Sequence, residues 1–126
     1  MPSSLDAIFR PMSIAVIGAS RREQSLGFKV LDNLIMHGFD GAVYPVNPNS
    51  EIVHSMKCYP SVEDIPDPVN LAIIVVPKEY VAEALDQCGR KGVKGVVVIS
   101  AGFKEVGGKG VEMERELLLS NLGLHY

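Results

Sequence analysis

The run Ser13-Ile14-Ala15-Val16-Ile17 is apolar almost throughout and passes directly into Gly18-Ala19-Ser20, before a helix opens at Ser25. A strand without polar alternation is covered on both faces, which requires a parallel sheet with helices above and below it. Three more runs share this character: Ala42–Val46, Leu71–Val76 and Val96–Ile99. They end at Asn47-Pro48, at Pro77 and at Ser100-Ala101-Gly102. Pro45, which cannot donate to a ladder, belongs at a strand end or on an unpaired side.

Helical spacing fills the intervals. Leu26, Val30 and Leu34, with Phe28, Leu31 and Ile35, recur on one face between an N-cap at Ser25 and a stop at Gly38. Val81, Ala84, Leu85 and Cys88 mark a second helix closing near Gly92, and Val111, Leu118 and Leu122 a last one beyond the glycines 107, 108 and 110. Leu5–Arg10 reads as a short helical lead-in stopped by Pro11, and Pro60–Pro68 as a loop with one helical turn.

Strands alternating with helices predict an α/β fold: a Rossmann-like, doubly wound parallel sheet in three α/β/α layers with right-handed crossovers. Residues 1–126 form one domain. The chain stops after a helix, where a βα series calls for another strand. It therefore reads as the N-terminal part of a longer protein, lacking its last strand.

Composition narrows the function. A net charge of −3 argues against a general nucleic-acid or membrane-surface binder, so any anion site has to be local. No apolar run approaches a membrane span, and the N-terminus lacks the pattern of a signal peptide. Cys58 and Cys88 show no metal spacing and read as reduced thiols, which goes with a cytoplasmic location.

Doubly wound sheets bind ligands outside the carboxyl ends of their strands, where strand order reverses. The candidate segments are therefore Gly18–Ser25, Asn47–Asn49, Val76–Lys78 and Ser100–Gly102. At the first, small residues and a helix N-terminus suit a phosphate, with Gly18 and Ala19 permitting close approach and the Ser20 and Ser25 hydroxyls donating. Arg21 and Arg22 stand beside this turn, either to pair with a further phosphate or as solvated loop residues. Asn47-Pro48 and Val76-Pro77 present rigid apolar surfaces suited to an adenine slot and a thin channel. Lys78 lies near a helix start, where a lysine is electrostatically misplaced; it faces an anion or water. Ser100, Ala101 and Gly102 offer amides and a hydroxyl, or simply a turn.

A nicotinamide or flavin site is disfavoured. The glycines after the first strand are too far apart for G-x-G-x-x-G, and the second strand ends in Asn47-Pro48 without a ribose-binding carboxylate. No Walker A loop or G-x-S-x-G elbow occurs, and no residue stands out as a nucleophile or general base. His37, His54 and His125 lack metal spacing: His37 fits a helix C-terminus, and the other two read as surface positions.

Four segments in order, Ser13–Ser20, Tyr44-Pro45-Val46-Asn47-Pro48, Leu71–Pro77 and Val98-Ile99-Ser100-Ala101-Gly102-Phe103, together resemble the CoA-binding domain of NDP-forming acyl-CoA synthetases. This group comprises the ADP-forming acetate–CoA ligases and is related to the succinyl-CoA synthetase α subunit. The resemblance covers nearly the whole chain. It implies coenzyme A as ligand, and a parent enzyme converting acyl-CoA, ADP and phosphate to acid, CoA and ATP through an acyl phosphate and a phosphohistidine. ATP, ADP and Mg would act only through other domains: the catalytic histidine lies in a later flavodoxin-like domain, and the nucleotide is held by an ATP-grasp domain or subunit. His125 does not inherit the catalytic role, so the chain alone should bind and not catalyse.

By the same resemblance, Gly18, Ala19 and Ser20 match the phosphate turn, and Ser25 and Gly27 the helix start. Asn47, Pro48, Val76, Pro77, Ser100, Ala101 and Gly102 match the remaining strand ends. The implied partners are CoA or acyl-CoA and the remaining synthetase domains, with room for a homo-oligomer. The alternative is a CoA-sensing regulatory module, free-standing or fused to a protein lysine acetyltransferase.

Overall fold

The computed structural model describes residues 11–99. Four strands, β1 (Ser13–Ile17), β2 (Ala42–Val46), β5 (Leu71–Ile74) and β6 (Gly95–Val98), form one sheet in the order β2-β1-β5-β6, and every pairing is parallel. The chain moves outward from β1 to β2, then crosses back to the far side of β1 for β5 and β6. Strand order therefore reverses between β1 and β5.

Alternate residues of the central strands feed two separate cores. Ile14, Val16, Leu71 and Ile73 pack beneath helix α1 (Leu26–Met36), where Val30, Leu31 and Leu34 are buried. Ala15, Ile17, Ala72 and Ile74 point the other way, towards Val81, Ala84 and Cys88 of helix α2 (Val81–Lys91). Three layers result, which is the Rossmann-like fold. Cys58 and Cys88 are free thiols, one in each core. Burial pushes the Cys88 thiol up to about 11.

The amino edge of the sheet is tied by side chains. The buried Ser13 hydroxyl donates to the Pro68 carbonyl at 3.0 Å and accepts from the Asn70 N–H at 2.9 Å, and Asn70 Oδ1 accepts from the Met12 N–H at 2.8 Å. Pro45 sits within β2, and its carbonyl accepts from the Tyr59 N–H at 3.0 Å. Its ring nitrogen therefore faces the sheet's outer side, as a proline in a strand requires.

Several boundaries differ from the sequence reading. The third strand ends at Ile74 rather than Val76, and the Val75 N–H makes the last rung to β1 by donating to the Ile17 carbonyl at 2.7 Å. The fourth runs Gly95–Val98 rather than Val96–Ile99. Lys78–Tyr80 forms a 3-10 turn before α2, and the helical turn expected in the loop is Val62–Asp64.

An unforeseen hairpin follows β2. Strands β3 (Ile52–Val53) and β4 (Met56–Lys57) are joined by His54 and Ser55, both left-handed at φ 55° and 62°. Positive φ at both central residues is the type I′ pattern, which normally draws Asn and Gly. Here His54 holds the turn by other means: its Nε2 lies 2.9 Å from Asp32 Oδ1 on α1, and its ring stacks on Phe28 at 5.9 Å. His54 is thus half-buried and paired, not an ordinary surface position. The expected lead-in at Leu5–Arg10, the expected last helix and His125 lie outside the described residues, as does the region where a further strand was expected.

Candidate functional site

The turn after β1 is built around two close approaches. Gly18 has φ +100° and lies so near the Val75 carbonyl that a Cβ would collide with it. A Cβ on Gly27 would collide likewise with the Gly18 carbonyl. These glycines let β5 and the start of α1 press against the turn. The space a Cβ would take at each is filled by the protein's own backbone.

Hydroxyls and amides near the turn are also engaged. Ser25 is the N-cap of α1: its Oγ accepts from the Phe28 N–H at 3.1 Å and donates to the Arg22 carbonyl at 2.7 Å. In this structure the Ser25 proton is engaged by the Arg22 carbonyl while the oxygen caps the helix. Ser20 Oγ accepts from the Arg22 N–H at 3.1 Å, which leaves its own O–H to donate outward. Ala19 is fully buried, whereas the Arg21 and Arg22 side chains are exposed.

The space lies on the other face. A cavity of about 500 Å³ opens at the carboxyl ends of β2, β1 and β5, beside the start of α2. It brings together five of the residues singled out from sequence: Gly18, Asn47, Pro48, Val76 and Pro77. Ala19, Ser20, Arg22, Ser25, Gly27 and Lys78 are not part of its wall, and Lys78 is exposed on the adjoining 3-10 turn. Ser100, Ala101 and Gly102 lie outside the described residues.

Sequence reasoning missed the far wall, which α2 supplies. Tyr80, Glu83 and Gln87 line the cavity, and their spacing puts them on one stripe of the helix, next to the buried Ala84. That spacing is the one signal the sequence carries for this wall, and a solvated helix face shares it. Glu83 is the one charged group among the described lining residues, and Pro48, Pro60 and Pro77 supply flat apolar surface. The start of α2 has no side-chain cap. Gln87 Oε1 accepts from the Ser61 hydroxyl at 3.2 Å, which steadies this wall.

A cavity at the point of strand reversal is where doubly wound sheets take their ligands. Residues 12–118 match the family model described as CoA binding domain. The chain belongs to that family. It is 51% identical over 111 residues to an ADP-forming acetate–CoA ligase II of Archaeoglobus fulgidus, covering 88% of this chain and 16% of the relative. It is 53% identical over 114 residues to the α subunit of an ADP-forming acetate–CoA ligase II of Pyrococcus furiosus, covering 90% of this chain and 25% of that subunit. Among solved structures, a dinucleotide-forming acetyl-coenzyme A synthetase 1 of Candidatus Korarchaeum cryptofilum, in complex with phosphate and ADP, superposes with a TM-score of 0.77 at 44% identity. That match covers 95% of this chain and 26% of the other.

This CoA-binding domain thus spans about a quarter or less of the curated ligases it matches. The resemblance drawn from the strand ends is borne out at the level of family and fold. The relatives named are ligases and lend no support to the regulatory alternative. Among the described residues, no helix is long and apolar enough to cross a membrane.

Proposed function

We propose that this chain holds coenzyme A for an ADP-forming acyl-CoA ligase whose remaining machinery lies in other domains or a partner subunit. The observation that carries this is the cavity of about 500 Å³ at the strand reversal of a CoA-binding-domain fold. Its proline-walled, largely apolar lining fits uncharged parts of CoA, the adenine or the pantetheine arm. A single carboxylate, Glu83, with no cation in the described lining, keeps the phosphates out of its interior. We place them outside it, with the Ser20 hydroxyl and the exposed Arg21, Arg22 and Lys78 as the proposed partners. Ser100, Ala101 and Gly102, which lie outside the described residues, complete the proposed set on the strength of the sequence resemblance alone.

When bound, CoA supplies the thiol that the parent ligase acylates. The residues described here bind and orient it, and in this reading the chain alone catalyses nothing. ADP, ATP and Mg act through the parent's other domains.

A thermal-shift series with CoA, acetyl-CoA, NAD, NADP and ADP tests the proposal. CoA at a hundred times its dissociation constant should stabilise the fold by about 2.7 kcal/mol, raising Tm by roughly 10 °C. NAD and NADP should leave it unchanged. A shift with NAD(P) and none with CoA would overturn the reading.

A further inference from the structure

We infer that Asn47 is a positioning residue that fixes the turn after β1 to the end of β2, rather than a group that touches the ligand. Its Nδ2 donates to the Ala19 carbonyl at 2.8 Å, across 28 residues of sequence. Its Oδ1 accepts from the Asn49 N–H at 2.8 Å, closing the loop that carries Pro48. Its backbone N–H donates to the Tyr59 carbonyl at 2.9 Å. One residue thereby joins the β1 turn, its own loop and the segment leading to Pro60.

The cavity shows why this matters. Gly18, Pro48 and Asn49 line it, as does Asn47 itself, and the Asn47 hydrogen bonds tie the segments that carry them. The task needs a donor and an acceptor on one short, planar group. Aspartate keeps the acceptor but faces the Ala19 carbonyl with a second acceptor, and alanine leaves that carbonyl without its partner.

This inference rests on the CoA reading above, and the test separates the two. The 126-residue chain and its Asn47→Ala and Asn47→Asp variants are titrated with CoA by calorimetry at 25 °C, and each unliganded protein is followed by amide NMR. Both variants should bind CoA at least about tenfold more weakly while folded, with the Ala19 and Ser20 amide resonances displaced before any ligand is added. In the unsubstituted protein, the Asn47 side-chain amide resonances should stay in place as CoA binds.

A lowered Tm with unchanged CoA affinity would mean a structural tie only and would overturn the inference. Lost affinity with an unmoved turn would mean direct contact and would overturn it too. Should both variants fail to fold, the side-chain amide resonances of the unsubstituted protein decide alone. If that protein binds no CoA, the site reading fails, while the displaced Ala19 and Ser20 resonances still judge the positioning role.

Discussion

The two crossovers from the centre of the sheet begin in opposite ways. The one leaving β1 is closed: Gly18 and Gly27 pack against carbonyls, Ser25 caps α1, and Asn47 grips Ala19. The one leaving β5 is loose: Pro77 and a 3-10 turn lead into α2 without a side-chain cap, and the cavity lies alongside. The first crossover is thus the closely packed wall of the site, and the proline-led one its open wall. In a doubly wound sheet, small residues after the first strand signal tight backbone packing as readily as a ligand's approach.

Breaking the closely packed side should cost most. Gly18→Ala or Gly27→Ala places a methyl against a carbonyl, and at Gly18 also imposes an unfavourable φ. Each should destabilise by about 3 kcal/mol or more, measured by urea denaturation. A cost below about 1 kcal/mol would show that the two crossovers do not differ as described.

Filling the open side should affect binding instead. Gln87→Phe pushes a ring towards the cavity and should weaken CoA about tenfold by calorimetry, a loss of about 1.4 kcal/mol, with little change in Tm. Unchanged affinity would place the ligand elsewhere.

Removing the cap from α1 should have the smallest effect. Ser25→Ala should cost about 1 kcal/mol in stability while leaving CoA affinity within about twofold, because the hydroxyl serves the helix. A large loss of affinity at full stability would return Ser25 to the ligand.

Much of this was legible in the chain. The four apolar runs gave the sheet, and the cap at Ser25 the start of α1, because burial on both faces leaves a strong periodic signal. The hairpin was not legible, because His54-Ser55 lacks the Asn-Gly signature and is held by Asp32 and Phe28, 22 and 26 residues away. The tight packing around Gly18 was not legible, since the Val75 carbonyl it accommodates is remote in sequence. Tyr80, Glu83 and Gln87 went unseen for a related reason. Their spacing is ordinary for a solvated helix face, and only the packing of α2 over the strand ends turns that face to the cavity.

A titration of the isotope-labelled chain with CoA, followed by amide NMR, locates the ligand directly. Perturbations should concentrate at Asn49, Val76, Tyr80, Glu83 and Gln87, around the cavity beside α2. Saturable binding that instead moves only the outer face of α1, around Lys29, Asn33 and Met36, would contradict it.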